Sequence, residues 1–137
     1  MQYTVAIEAG DDHTSYGIAV PDLPGCYSAG DTLEEALTNV KEAICLHLTD
    51  LAEQGALPPV PTPLSKLFKK EEFKGWSWAH VEIDETPFLG KSSKVNVTLP
   101  DLLTLKIDQF VKEHPAYGNR SRFLQLAALN EMESAQA

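Results

Sequence analysis

Lys94, Asn96 and Thr98 stand at alternate positions of one short run, residues 94–100, and each carries a side chain that forms hydrogen bonds. On a strand, alternate residues share a face, so these three line one side while Val95, Val97 and Leu99 line the other. A row of amine, amide and hydroxyl groups can read base edges in a DNA groove, lysine suiting guanine and asparagine suiting adenine. The same row also suits a strand whose polar face simply meets water. A lone strand cannot satisfy its own backbone, and the sequence offers no adjacent second strand to make a hairpin. The pattern predicts pairing with the same strand of another copy.

The segments that follow must position this strand. Pro100 suits the first position of a helix and Asp101 favours its positive N-terminal end. Leu103, Ile107, Phe110 and Val111 then recur at helical spacing, with Lys106, Asp108, Gln109 and Lys112 between them. His114-Pro115 ends that helix, and residues 115–119 have turn chemistry. Ser121 stands where an N-cap belongs, ahead of a second helix carrying Phe123, Leu124, Ala127, Ala128 and Met132. Residues 94–132 are too few to bury a sufficient core alone. Two copies are expected to interlock around Val95, Val97, Leu99, Leu103, Ile107, Phe110, Phe123, Leu124 and Ala127.

Strand, helix, turn and helix in this order resemble the ribbon-helix-helix domain of Arc and MetJ-type repressors, over roughly the last third of the chain. The resemblance implies paired strands in the major groove, with Lys94, Asn96 and Thr98 reading bases. It also places Asn119, Arg120, Ser121 and Arg122, at the start of the second helix, against a backbone phosphate.

Charge divides the chain unevenly. Residues 1–90 hold 5 Lys+Arg against 15 Asp+Glu, whereas residues 91–137 hold 6 against 5, and the whole chain is at −9. A nearly neutral DNA reader joined to an acidic module cannot bind DNA through bulk charge, so affinity must come from local contacts and dimerisation. The acidic module either meets a basic partner or keeps the protein soluble, and net charge does not separate these readings.

That module opens with a strand in which Tyr3, Val5 and Ile7 alternate with Gln2, Thr4, Ala6 and Glu8, followed by the turn signal Gly10-Asp11-Asp12. A second strand, residues 16–20, runs into Pro21-Asp22-Leu23-Pro24-Gly25-Cys26, a tight fixed loop, and a short third strand follows through Tyr27 and Ser28. Thr32 and Glu35 make a capping box for a helix whose stripe is Leu33, Leu37, Val40, Ile44, Leu48 and Leu51, ended by Gly55. Residues 58–63 are a proline-rich extended connection, and residues 76–84 alternate as a fourth strand with Ala79, Val81 and Ile83 on one face. The order is βββαβ. Residues 85–93 lack periodicity and are expected to be a linker.

Val20-Pro21-Asp22-Leu23-Pro24-Gly25-Cys26, then Gly30-Asp31-Thr32-Leu33-Glu34-Glu35-Ala36, then the long helix and its proline-rich exit resemble the HicB antitoxin family, over roughly residues 3–83. The resemblance implies an α+β chain with three parts. These are an N-terminal partial RNase H-like toxin-binding domain over 1–84, a linker over 85–93 and a dimerising ribbon-helix-helix domain over 94–132. It also implies a basic partner, a small mRNA-cleaving ribonuclease of the HicA kind, and repression of a shared operon through operator DNA. Candidate toxin contacts are Glu71, Glu72, Trp76 and Trp78, since exposed aromatics favour interfaces. Trp76 and Trp78 could equally be core. Homodimer and tetramer both stay open.

Catalysis is not expected. Two-metal nuclease chemistry needs acids converging on ions about 4 Å apart, whereas Asp11 and Asp12 fall in a hairpin loop, Asp22 in a turn and Asp31 before a helix. Glu35 is taken up by capping, leaving Glu8 as the acid that projects from the first strand. His13 beside Asp12 lacks a nucleophile to serve as base. No cofactor or metal is expected. Cys26 and Cys45 have no metal or redox spacing and read as structural thiols. The start Met1-Gln2-Tyr3 lacks a basic then apolar leader and no apolar run nears a membrane span, so a cytoplasmic protein is expected. The competing function is a dimeric ribbon-helix-helix repressor whose first module senses a small molecule, without a toxin partner.

Overall fold

The computed structural model describes residues 1–11 and 14–136, so Asp12 and His13 lie outside the described residues. It divides into two compact units, Met1–Lys91 and Ser92–Ala137.

The first unit is a four-stranded antiparallel sheet carrying one long helix. β1 (Gln2–Glu8), β2 (Tyr16–Ala19), β3 (Tyr27–Gly30) and β4 (Ser77–Glu82) lie in the order β3-β2-β1-β4. β1 sits in the middle, pairing Ala6 with Ala19 on one side and with Trp78 on the other. Its alternation fixes the core: Tyr3, Val5 and Ile7 join Ile18, Val81 and Ile83 on the face covered by α1 (Leu33–Glu53), which contributes Val40, Ile44 and Leu48. Ala36, outside the expected apolar stripe, is also fully buried.

The helix starts as its capping chemistry requires. Thr32 Oγ1 accepts the Glu35 N–H at 3.1 Å, and the Glu35 carboxylate accepts the Asp31 N–H at 3.2 Å. Gly55, at φ +78°, ends it, its N–H returning to the Ala52 carbonyl and that of Ala56 to the Leu51 carbonyl. Ser28 and Asn39 tie helix to edge strand: the Ser28 hydroxyl donates to the Ala36 carbonyl, and the Asn39 amide to the Ala29 carbonyl.

The loop after β2 holds the proline-rich connection in place. Asp22 accepts the Thr62 N–H at 2.9 Å and the Thr62 hydroxyl at 2.5 Å, while the Tyr3 hydroxyl donates to the Pro59 carbonyl at 2.7 Å. Between that connection and β4 lie elements the sequence pattern does not announce: the single-turn helix α2 (Leu64–Leu67) and a 3₁₀ turn, Glu71–Phe73. The expected linker is also corrected, because its first residues belong to the first unit. Glu85 is buried and accepts from the Met1 amino group at 3.3 Å, and Phe88, in the 3₁₀ turn Thr86–Phe88, is buried in the core.

The second unit contains α3 (Asp101–Glu113), a 3₁₀ turn (Pro115–Tyr117) and α4 (Arg120–Gln136). Pro100 precedes α3 as its N-cap residue, so the first helical position belongs to Asp101. α4 begins one residue before the expected cap: Asn119 Oδ1, not Ser121, accepts the Arg122 N–H, at 2.8 Å. Residues 94–99 form no ladder among the described residues. The expected strand has no partner strand in a single copy, and pairing is what defines a strand.

Gly30 sets how closely α1 can approach β3, since a Cβ there would lie 2.5 Å from the Ala36 nitrogen. Gly30→Ala should destabilise the first unit by about 1–3 kcal/mol. Gly17→Ala, where the nearest atom is the Glu8 carboxylate at 4.0 Å, should stay within about 0.5 kcal/mol. Urea unfolding followed by tryptophan fluorescence separates the two, because both tryptophans, Trp76 and Trp78, are in the first unit.

Candidate functional site

In the second unit the base-reading candidates Lys94, Asn96 and Thr98 are all exposed. Val95 and Val97, on the opposite side of the run, are exposed to 76% and 64%, so two β-branched side chains that suit a core meet water in the single chain. Of the other expected core residues, Ile107 is buried; Leu99, Phe123 and Leu124 are half-buried; Leu103, Phe110 and Ala127 are exposed.

Aromatic packing that the sequence reading missed organises the turn between α3 and α4. Phe110 stacks on His114 at 4.1 Å and meets Tyr117 and Phe123 at 5.3 and 5.5 Å, with Tyr117 and Phe123 5.7 Å apart. The signal was present as aromatics spaced across the His-Pro break, but helical periodicity does not register contacts across a turn.

The four residues expected at a phosphate have different fates. Arg120 forms a two-pronged pair with Asp108, Nε to Oδ1 at 2.9 Å and Nη2 to Oδ2 at 2.6 Å. The guanidinium holds the Asp108 carboxyl below the usual carboxylate range, and Asp108 raises Arg120 in return. Asn119 is taken up by capping, and Ser121 is exposed. Arg122 keeps a guanidinium nitrogen, Nη1, buried and without a hydrogen-bond acceptor among the described residues.

In the first unit, Glu71 and Glu72 are exposed on their 3₁₀ turn, and Trp76 and Trp78 are half-buried. Phe73 brings the two indoles together, its ring edge-on to each at 5.3 and 5.6 Å. Glu71, Phe73, Trp76 and Trp78 border an open groove of about 540 Å³ that is also lined by Phe68, Lys69, Lys70 and Lys74, while Glu72 lines a neighbouring cleft. The surroundings of Glu71 and Glu72 are therefore more cationic than acidic.

Three of the acids considered for catalysis have structural partners. Asp11 accepts the Thr14 N–H at 2.8 Å, Asp31 faces the Ser15 hydroxyl at 3.4 Å, and Asp22 anchors Thr62. Among the described residues no cluster of three or more His, Cys, Asp or Glu is arranged to hold a metal ion. Cys26 is buried, which pushes its thiol up, and Cys45 is half-buried; both are free. No helix among the described residues is long and apolar enough to cross a membrane.

A four-stranded antiparallel sheet under one long helix, followed by a separate helical unit, is the architecture of a class of bacterial antitoxins. The family described as HicB_like antitoxin of bacterial toxin-antitoxin system matches residues 3–128, and the chain belongs to that family. Membership points to a regulatory rather than an enzymatic role. An uncharacterized 14.9 kDa protein from the rep-hol intergenic region of Haemophilus phage HP1 is 43% identical over 135 residues, covering 98% of this chain and 100% of the phage protein. The crystal structure of the Burkholderia pseudomallei antitoxin HicB superposes with a TM-score of 0.75 at 36% identity, covering 94% of this chain and 96% of that one. A chain of a solved HicA3 and HicB3 toxin-antitoxin complex is similar over 61% of this chain and 99% of its own length, at 28% identity and a TM-score of 0.52.

The Asp108–Arg120 pair should be visible in solution. A carboxylate whose pKa is depressed in the folded state contributes stability above its unfolded pKa and loses it as pH falls through the folded value. The Asp108 side-chain resonance should therefore titrate below the ordinary carboxylate range, and Arg120→Gln should return it to that range.

Proposed function

We propose that this chain neutralises a small basic ribonuclease of the HicA kind through its first unit, read as a partial RNase H-like module. In the same reading the second unit is a ribbon-helix-helix domain that pairs with another copy and represses the shared operon. The observation that carries this is the HicB-like fold of the acidic unit together with its likeness to a chain of a toxin-antitoxin complex.

Charge directs where a basic partner docks. Outside residues 64–78 the first unit holds 13 acids against two lysines. The outward side of α1 presents Glu42, Leu46, Asp50 and Glu53 at successive turns, with Leu46 70% exposed. An apolar centre ringed by carboxylates is complementary to a cationic partner surface. Glu71 and Glu72, beside three lysines, attract a cation less.

The second half of the reading rests on residues 94–99. A run with exposed valines on one side, exposed hydrogen-bonding groups on the other and no ladder partner in its own chain is completed by an antiparallel copy of itself. That pairing buries Val95 and Val97 and presents Lys94, Asn96 and Thr98 twice to DNA. Arg122, half-buried at the start of α4 and without an ion-pair partner among the described residues, supplies a phosphate contact.

Co-expression is the direct test. The small neighbouring reading frame should arrest growth and degrade mRNA when expressed alone, and this chain should restore both; a harmless neighbour would overturn the toxin reading. Glu42→Lys with Asp50→Lys should slow association with the toxin by about tenfold at low salt. Asn96→Ala and Thr98→Ala should each weaken operator binding by about 1–3 kcal/mol at fixed salt, with toxin binding retained. Unchanged operator affinity in the double variant would remove the base-reading assignment.

A further inference from the structure

The face of the sheet opposite α1 carries a second feature, at the surface where the sequence places candidate toxin contacts, whereas the charge pattern directs a basic partner to α1 instead. Across the four strands one row runs Tyr27, Ala19, Ala6, Trp78, each paired in register with the next. Two small side chains thus lie between two aromatic ones, and Phe73 reaches this face by packing edge-on to Trp78. The groove of about 540 Å³ beside Phe68, Phe73, Trp76 and Trp78 adjoins a second cleft of about 230 Å³ lined by Ala19 and Tyr27, and Lys70 and Phe73 border both.

Two aromatic rings here have no ring partner among the described residues. Phe68 is 56% exposed and Tyr27 is 69% exposed, although each lines one of the clefts. The cations are concentrated in the same place. Of the six lysines in residues 1–91, where there is no arginine, Lys66, Lys69, Lys70 and Lys74 fall within nine positions. All four are exposed, and none makes an ion pair among the described residues. An otherwise strongly acidic unit therefore gathers most of its positive charge beside its most exposed aromatic rings.

We propose that these joined clefts bind a single-stranded nucleic acid, with Lys69, Lys70 and Lys74 meeting phosphates and the free rings of Phe68 and Tyr27 stacking on bases. An acidic peptide would match the lysines but would leave the flat rings without flat partners. A duplex would offer phosphates but keep its base faces stacked internally. Glu71 in the groove, Glu72 in the cleft and the acidic remainder of the unit oppose any polyanion, so the contact has to be local and sensitive to salt. This inference is independent of the toxin and operator readings.

The experiment uses the full chain and end-labelled RNA and DNA oligonucleotides of about 12 residues, followed by fluorescence anisotropy between about 50 and 200 mM salt. Saturable binding of either single strand is expected, with tryptophan quenching from Trp76 and Trp78 along the same curve. Three phosphate contacts predict a slope of log affinity against log salt of about −2. Lys69→Gln, Lys70→Gln and Lys74→Gln together should flatten it towards zero. Phe68→Ala, at an exposed position, should weaken binding about tenfold and leave the slope unchanged. Asn96→Ala should alter none of these values, which separates the clefts from the second unit. Absence of saturable binding at the lowest salt overturns the proposal. So does binding that ignores the lysine and Phe68 substitutions, or equal displacement by a glutamate peptide of matched charge.

Discussion

Backbone pairing is the constraint on which both units turn. A strand removed from water must find ladder partners, and β1 finds them on both sides, with β2 and β4. That central place lets both of its faces be covered: Tyr3, Val5 and Ile7 by the helix, Thr4 and Ala6 on the reverse, all buried. Thr4 keeps a hydrogen bond there, Oγ1 lying 3.0 Å from His80 Nδ1 on β4. The second unit meets the same requirement differently. Residues 94–99 have no ladder partner among the described residues, and their valines stay in water. On the reading proposed, the missing ladder arrives with a second copy, so assembly and folding of this segment are one event.

The two faces of the sheet then divide the work of the first unit. The helix face is a packed apolar core, closed by Gly30 at the edge and by Phe88 beyond β4. The reverse face is thinner, because Ala6 and Ala19 leave room that a short excursion, residues 64–76, fills only partly with Leu67 and Phe73. Small residues in the middle strands and large rings at both edges leave open clefts.

Much of this was legible in the sequence, and the reasons are local. Period-2 alternation in residues 2–8, the Thr32–Glu35 capping box and the stripe from Leu33 to Leu51 each specify an element through neighbouring residues. What stayed hidden depends on contacts between distant segments. Glu85 and Phe88 read as linker because nothing nearby shows that they pack against the first unit. Residues 64–73 carry α2 and a 3₁₀ turn too short for any periodicity to emerge. Ser121 and Asn119 are both good caps, and the choice falls to Asn119 because α4 then starts at Arg120, whose side chain reaches Asp108 on α3. The candidate site was legible as residue types at residues 94–98, but the lysine-aromatic clefts were not, since Tyr27 comes to one cleft and Phe68 and Trp78 to the adjoining one only through sheet order and a crossing segment.

The fate of Arg120 bears on how the second unit could hold DNA. Residues 92–137 carry five cations and five acids, and the Asp108–Arg120 pair neutralises one of each inside the unit. Arg122 is then the cation left at the start of α4, alongside the amides of the first turn. A neutral surface attached to an acidic unit gains little from long-range attraction, so a protein of this composition cannot rely on nonspecific affinity to find its site. On the proposed reading, binding is concentrated in the hydrogen-bonding row of residues 94–98, and one copy of that row is short. Doubling it across a two-fold axis is what makes such a reader effective, because the second set of contacts then forms at high local concentration rather than from free solution. On that reading the exposed valines serve the same end as the polar groups beside them: the pairing that would cover Val95 and Val97 is the pairing that would bring two reading faces together.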